Sequence, residues 1–424
     1  MDRSKRPSIG PPDEATEKLL ADVVHPATLN QVAAFWDAGL RQRTLTLPVM
    51  VAFVLSLIWR QMGSVAEAVR ALHREGMLWT APLKPRQQSV SQRLRELPAH
   101  LFENVLLEVL PKMQERWQQR KRRLPPVLEW VGQRFSSVLA ADGSTLDALM
   151  RKVGLLREGE GPVLGGRMAA LLDVVSQLPR RIWYEENSQA HDQSFWERVI
   201  DALPKGCLLL FDLGFVNHPV FDRLTDLGVW FVTRAKANHA VKPIRVLARR
   251  QNLLDQVVLL GSRQKRCAHE MRLVEVSYKG QCYRYLTNVL DPEMLPAEYV
   301  VALYWQRWRI EDAFKAVKRL LGLAYFFAGS LNTVQLQVWA TWLLYACLVD
   351  LTDAVAERLK VAYQDVSMEM TYRGLYHYTQ AHHRGETNDP VAYLAANAKD
   401  LGILKRKRRP SPAELLHLTV AQIA

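Results

Sequence analysis

The chain is poor in the features that would take it out of the ordinary globular class. It has four cysteines in 424 residues, Cys207, Cys267, Cys282 and Cys347. None belongs to a CxxC pair or a Cys/His cluster, which excludes a zinc finger and a disulfide framework. Each sits in an apolar or strand-like context and reads as a reduced, buried thiol of a cytosolic protein. The opening MDRSKRPSIGPPDEATEK has no apolar centre and so is not a signal peptide. The most apolar run, Val338 to Val349, is too short to span a bilayer and contains Thr341, so it reads as a buried helix. Internal repeats and low-complexity tracts are also missing.

What is present is charge of one sign over a normal globular background. Hydrophobic residues make up 49% and charged residues 23%, which excludes disorder and allows two or three domains with real cores. The formal charge of +13 points to a polyanionic partner, most simply nucleic acid, because neutralising phosphates and releasing their counterions is what such an excess favours. Ribosome-associated and membrane-surface proteins share this excess.

In chain order, residues 1 to 25 form a Pro-rich polar arm. From 26 to 128 only helical patterns occur, among them QVAAFWDAGL, LPVMVAFVLSLIWRQMG, SVAEAVRALHREG and LFENVLLEVLPKMQERWQQRKRR, which predicts an all-α N-terminal domain. Arg86 to Arg95 precedes and enters one helix whose N-terminus is suited to a phosphate, or is simply a solvated face. Lys121 to Arg123, beside Pro125 and Pro126, marks a hinge.

The period then changes. Phe135 to Ala141 reads as a strand ending in Asp142-Gly143, and GGRMAALLDVVSQ with RRIWYEEN as an antiparallel pair. A helix over His191 to Leu203 follows, then the strand Cys207 to Phe211 ending in Asp212-Leu213-Gly214, a helix over Val220 to Leu227, and the strand GVWFVTRAK. Three strands, helix, strand, helix, strand is the order of a ribonuclease-H-like α/β core. Residues 129–239 form its first part, 240–299 a β-rich insertion with a hairpin about Lys279-Gly280, 300–360 its last part, and 361–424 a helical, basic C-terminal region containing Lys405 to Arg409. Within the last part, Val334 to Arg358 is a buried helix.

The most informative stretch is Tyr304 to Lys318, YWQRWRIEDAFKAVK. Ile310, Ala313, Phe314, Val317, Leu320 and Leu321 recur at helical spacing, so a single amphipathic helix ending near Gly322 is predicted. At about 100° per residue, Tyr304, Arg307, Glu311 and Lys318 fall within roughly 60° of one another, beside the apolar stripe. Pairing of Glu311 with Arg307 and Lys315 at i, i+4 would also be ordinary surface-helix chemistry.

Tyr, two residues, Arg, three residues, Glu, six residues, Lys, with Trp308 directly after Arg307, resembles the Y-R-E-K signature of a group of bacterial insertion-sequence transposases of the DDE type. The resemblance covers roughly Arg134 to Val349. It implies two further carboxylates at strand ends, and Asp142 and Asp212 occupy such positions. The segment around Asp212 resembles the family's D-x-G-F/Y element, with Leu213 where Arg is frequent. Asp147, Asp173, Asp192 and Asp201 are competitors for a carboxylate role.

Asp142, Asp212 and Glu311 are thus the candidate catalytic and metal-ligating residues. Oxygen-only donors suit two Mg²⁺ ions, with Mn²⁺ as a substitute, rather than zinc. Two such ions serve an in-line phosphoryl transfer that both cuts a strand and joins it. Tyr304, Arg307, Trp308, Arg309 and Lys318 are the candidate DNA contacts, with Arg and Lys on phosphates and Trp308 stacking on an unstacked base. Trp230 and Trp305 are assigned to the core. The resemblance implies a cut-and-paste DNA transposase that binds terminal inverted repeats and target DNA as a homodimer, often through hairpin ends. It would be cytoplasmic and nucleoid-associated, with no membrane. A nuclease on the same core that does not join strands, and a silenced descendant that occupies repeat DNA, are the alternatives.

Overall fold

The structure is a computed structural model that describes residues 17, 20–40, 43–146, 166–187, 190–236, 239–262, 266–323, 326, 327 and 330–406. Asp147, most of the N-terminal arm and the end of the Lys405 to Arg409 run lie outside them.

Nine strands form one mixed sheet. In chain order they are β1 (Val138–Thr145), β2 (Arg167–Asp173), β3 (Pro179–Glu185), β4 (Leu208–Phe211), β5 (Trp230–Arg234), β6 (Val241–Arg250), β7 (Leu253–Leu260), β8 (Met271–Tyr278) and β9 (Gln281–Thr287), and in space they run β3-β2-β1-β4-β5-β9-β8-β7-β6. β1, β4 and β5 are mutually parallel, while β2 and β3 continue the sheet antiparallel on one side. This mixed α/β arrangement is consistent with a ribonuclease-H-like core. On the other side β9 pairs antiparallel with β5, so the strands of 240–299 extend the same sheet. The β8–β9 hairpin turns at Lys279-Gly280, where φ is 50° and 75°. Positive φ at both central positions suits the twist of the two strands.

Successive side chains of a strand point to opposite faces, and here the alternation feeds two cores. Val138, Ala140, Leu208 and Leu210 join one cluster, and Leu139, Ala141, Leu209 and Phe211 join the other. The smaller cluster is closed by α8 (Trp196–Asp201) and α9 (His218–Asp226).

The larger cluster is built on a 29-residue helix, Leu331–Leu359. The helices before β1 add to this cluster, and these are α1 (Val24–Asn30), α2 (Val32–Asp37), α3 (Leu47–Trp59), α4 (Val65–Arg74), α5 (Gln87–Glu96), α6 (His100–Gln119) and α7 (Pro126–Gly132), with α3, α5 and α6 directly against the long helix. Continuing the numbering, α10 is Ala297–Gln306, α11 is Trp308–Lys315, the long helix is α12, and α13 (Met368–His383) and α14 (Pro390–Ala396) follow it. By length and composition α12 is the one helix among the described residues that could cross a membrane, but 94% of its apolar window is buried inside the protein. Two of its buried threonines are satisfied within the helix: Thr341 donates to the Gln337 carbonyl at 2.6 Å and Thr352 to that of Leu348 at 2.7 Å.

Two local expectations are corrected. Of the cysteines, Cys282 is exposed, because it lies near the free end of the β8–β9 hairpin. The basic run after α6 is clamped: Arg120 pairs with Asp350 and Asp353 on α12, and Arg122 with Asp353. An extended segment whose arginines are tied to a buried helix is a poor hinge.

Candidate active site

The sheet register brings the two aspartates together. Ala141 is the last β1 residue paired with β4, opposite Phe211, and Phe211 in turn pairs with Thr233 of β5. Asp142, Asp212 and Arg234 are therefore the next residues along three neighbouring parallel strands. β1 is longer than the sequence suggests, because its far end pairs with β2 alone and Asp142 lies opposite Ala170. The Asp142 carboxylate accepts from the Gly143 N–H at 2.8 Å, and Asp212 caps the one-turn helix Leu213–Phe215 by accepting from the Leu213 N–H.

The expected single helix is jointed. α10 and α11 meet at Arg307, where i→i+3 bonds from Arg307 to Tyr304 and from Ile310 to Arg307, both 3.1 Å, tighten the turn. α11 then widens into a π turn over Ala316–Leu320, closed by the Leu321 N–H on the Ala316 carbonyl at 2.9 Å. The joint turns Arg307 into the protein. Its side chain is 4% exposed, with Nη1 3.0 Å from Asp142 Oδ2 and Nη2 2.6 Å from Glu311 Oε1. The i, i+4 pair with Glu311 thus forms, but as half of a bridge to the sheet. Lys315 pairs with Asp312 instead.

Burial pushes the Asp142 carboxyl up to about 6. Arg307 and the Gly143 N–H pull it back, and the negative charges of Asp212 and Asp192 push it further up. Burial also raises the Tyr304 phenol to about 12 and lowers the Lys318 ammonium.

Most of the other expected residues converge here. Lys318 donates to the Thr145 carbonyl at 2.9 Å, at the far end of β1. Tyr304 is buried, with the Arg307 guanidinium carbon 5.7 Å from its ring. Trp308 is 43% exposed, which removes its core reading, and it lies 5.3 Å from the same carbon. Trp305 is only half-buried and lines up with Trp308 at 5.9 Å, and Trp230 packs at the edge of the larger cluster. Arg309 stands apart. Its donors reach Gln306, the Val174 carbonyl and Gln364, and burial lowers its pKa to about 10.

Among the competitors, Asp173 accepts from the Val175 and Ser176 N–H groups in the β2–β3 turn, a structural task. Asp201 is exposed at the end of α8. Asp192 belongs to the site: it pairs with Arg167, which lies opposite Thr145 on β2. Arg234 and Arg167 went unrecognised in the sequence. The Arg at the end of GVWFVTRAK was the available sign for the first, and nothing local marked the second.

Residues 163–347 match the transposase DDE domain. This domain match contains Asp212, Glu311 and every candidate DNA contact, while Asp142 lies upstream of it. The chain is 25% identical over 335 residues to a Geobacillus stearothermophilus protein named as the transposase for insertion sequence element IS5377, covering 77% of this chain and 81% of that one. It is 26% identical over 200 residues to a Sinorhizobium fredii protein named as transposase y4zB, covering 45% of this chain. A Synechocystis protein named as the transposase for element IS4SA is 23% identical over 165 residues, covering 38% of this chain. The match spans only 54% of the Sinorhizobium protein and 46% of the Synechocystis one.

The donor set suits a hard divalent cation, since it is carboxylate oxygen only. The upward push on Asp142 from its acidic neighbours is what an added cation would relieve. Among the described residues, no group of three or more Asp, Glu, His or Cys stands as a ready cage, and Arg307 lies between Asp142 and Glu311.

Proposed function

We propose that this chain is a DNA transposase that binds the terminal inverted repeats of its own element, cleaves DNA by metal-dependent phosphoryl transfer and joins the ends to target DNA. The observation that carries the reading is the Arg307 bridge, which brings the helix bearing Glu311 to the part of the sheet where Asp142 and Asp212 follow neighbouring paired residues. Asp142, in β1 just past its pairing with β4, neighbours Asp212 at the end of β4, and Arg307 ties Glu311 to Asp142.

Asp142, Asp212 and Glu311 would hold two Mg²⁺ ions, or Mn²⁺ in their place. When bound, these ions supply activation of the attacking water or 3′-hydroxyl and stabilisation of the leaving oxygen. The protein's own part is orientation and charge. The Gly143 and Leu213 N–H groups fix the two aspartates, and Arg307 keeps Glu311 aimed at the sheet. Lys318 and Arg307 supply cations for phosphates beside the cut, with Tyr304 packed beneath Arg307. Trp308, the exposed aromatic of this helix, offers a face on which an unpaired end base stacks as a hairpin forms. The helices of 26–128 serve as the DNA-binding region, and the working form is a dimer on DNA that cuts and pastes.

The test is a comparison of wild type with Asp142→Asn, Asp212→Asn and Glu311→Gln on DNA carrying the flanking repeats. Each variant is expected to lose cleavage by about three orders of magnitude or more while still binding the DNA, the scale for a group acting in the transition state. Wild-type cutting by any one of them removes that residue from the site.

A further inference from the structure

Asp192 lies between the Asp142–Gly143 stretch of β1 and the Asp212 loop. A Cβ placed on Gly143 would collide with its Oδ1, and one placed on Gly214 would come 2.8 Å from its Oδ2. Its two oxygens are therefore pressed against the residue after Asp142 and the second residue after Asp212. Neither position has room for a side chain larger than that of glycine while Asp192 stays in place.

The wedge is anchored on both sides. Arg167, opposite Thr145 at the end of β1, forms an ion pair with Asp192. The turn that Asp192 opens, Asp192–Phe195, is tied to the Asp212 loop by two further bonds. Gln193 donates to the Val216 carbonyl at 3.2 Å, and the Trp196 indole N–H donates to the Phe215 carbonyl at 2.9 Å. β1 and β4 share no backbone pair beyond Ala141 and Phe211; past that point β1 is held by β2 alone, and Asp192 stands between it and the Asp212 loop.

We propose that Asp192 is a positioning residue that sets the spacing of Asp142 and Asp212, and through it the affinity of the site for a divalent cation. This rests on the reading of those aspartates as ligands. Residues that orient metal ligands are commonly worth about 10–100-fold in metal affinity.

The experiment measures Mn²⁺ binding by the full-length protein without DNA, from the electron paramagnetic resonance signal of free Mn²⁺, with thermal melting alongside. The Mg²⁺ concentration giving half-maximal cleavage is measured on the same variants. Asp192→Asn is nearly isosteric but breaks the ion pair, and Gly214→Ala keeps the charge but displaces the wedge. Both are expected to weaken Mn²⁺ binding about tenfold and to raise the Mg²⁺ requirement, with cleavage recovering at high Mg²⁺. A purely structural role would lower the melting point and the maximal rate and leave the metal dependence unmoved, which overturns the proposal. Weakened binding in Asp192→Asn with wild-type binding in Gly214→Ala assigns the effect to charge alone and also overturns it. Asp212→Asn is the control for the underlying reading. If that variant too binds Mn²⁺ as wild type does, the metal site itself is wrong, whereas loss there with no change in the other two sinks only the role of Asp192.

Discussion

Arg307 and Asp142, 165 positions apart in the chain, meet at 3.0 Å, and this contact joins the helix that carries Glu311 to the sheet that carries the aspartates. The same guanidinium takes Glu311 at 2.6 Å, so one buried cation serves two carboxylates from different elements.

Truncating it should therefore be felt in stability as well as activity. Arg307→Ala leaves Asp142 nearly buried without its partner and is expected to cost about 3 kcal/mol, the lower end for breaking a buried pair because Glu311 keeps some solvent. Arg307→Lys restores the charge without the fork and should recover only part of this. Urea unfolding in EDTA measures both. An unchanged midpoint for Arg307→Ala would mean that the bridge is not made in solution.

A second buried pair holds the added strands in place. Arg272 on β8 donates to both oxygens of Asp255 on β7, at 2.8 and 2.6 Å, and to the Leu295 carbonyl just before α10 at 2.6 Å. Both side chains are shut off from water. Arg272→Ala is expected to destabilise by about 3–5 kcal/mol, while Arg272→Met combined with Asp255→Leu should recover most of the loss. Denaturant midpoints decide, and a double variant as unstable as the single one would show that the ion pair itself is required.

His239 makes stability depend on pH. Burial, with His218, Lys236 and Arg284 nearby, lowers its pKa from 6.5 to about 4. The folded state thus disfavours the charged ring, and between those values the unfolded chain binds more protons. The contribution of the neutral ring is complete above about pH 6.5 and is lost as the pH falls toward 4. His239→Asn should melt with a shallower pH dependence across this window than wild type. Parallel profiles would place the acid sensitivity elsewhere.

The site was legible where the chemistry is local. Asp142 closes an apolar run beside a glycine, Asp212 closes one two residues before a glycine, and Glu311 stands in a spaced set of polar residues, so all three stood out as candidates before their contacts were known. What depends on distant partners was hidden. The joint at Arg307 and the π turn after Lys315 trade i→i+4 bonds for shorter and longer ones, which helical periodicity does not register. The continuation of the sheet from β5 to β9 is a pairing between strands separated in sequence by three other strands, β6 to β8. Arg309, two residues past the joint at Arg307, reaches instead the Val174 carbonyl in the β2–β3 turn and Gln364. Asp192 looked like one acidic residue among several, and only the folded loops show it lodged against Gly143 and Gly214.

The most direct measurement is an incubation of the purified protein with labelled DNA carrying the terminal repeats and a supercoiled target, in Mg²⁺ and in EDTA. Cleavage at the repeat ends with a joined product in Mg²⁺, and neither in EDTA, is the expected result. Cutting that continues in EDTA, or tight binding with no cutting in Mg²⁺, would contradict a metal-dependent transposase built on Asp142, Asp212 and Glu311.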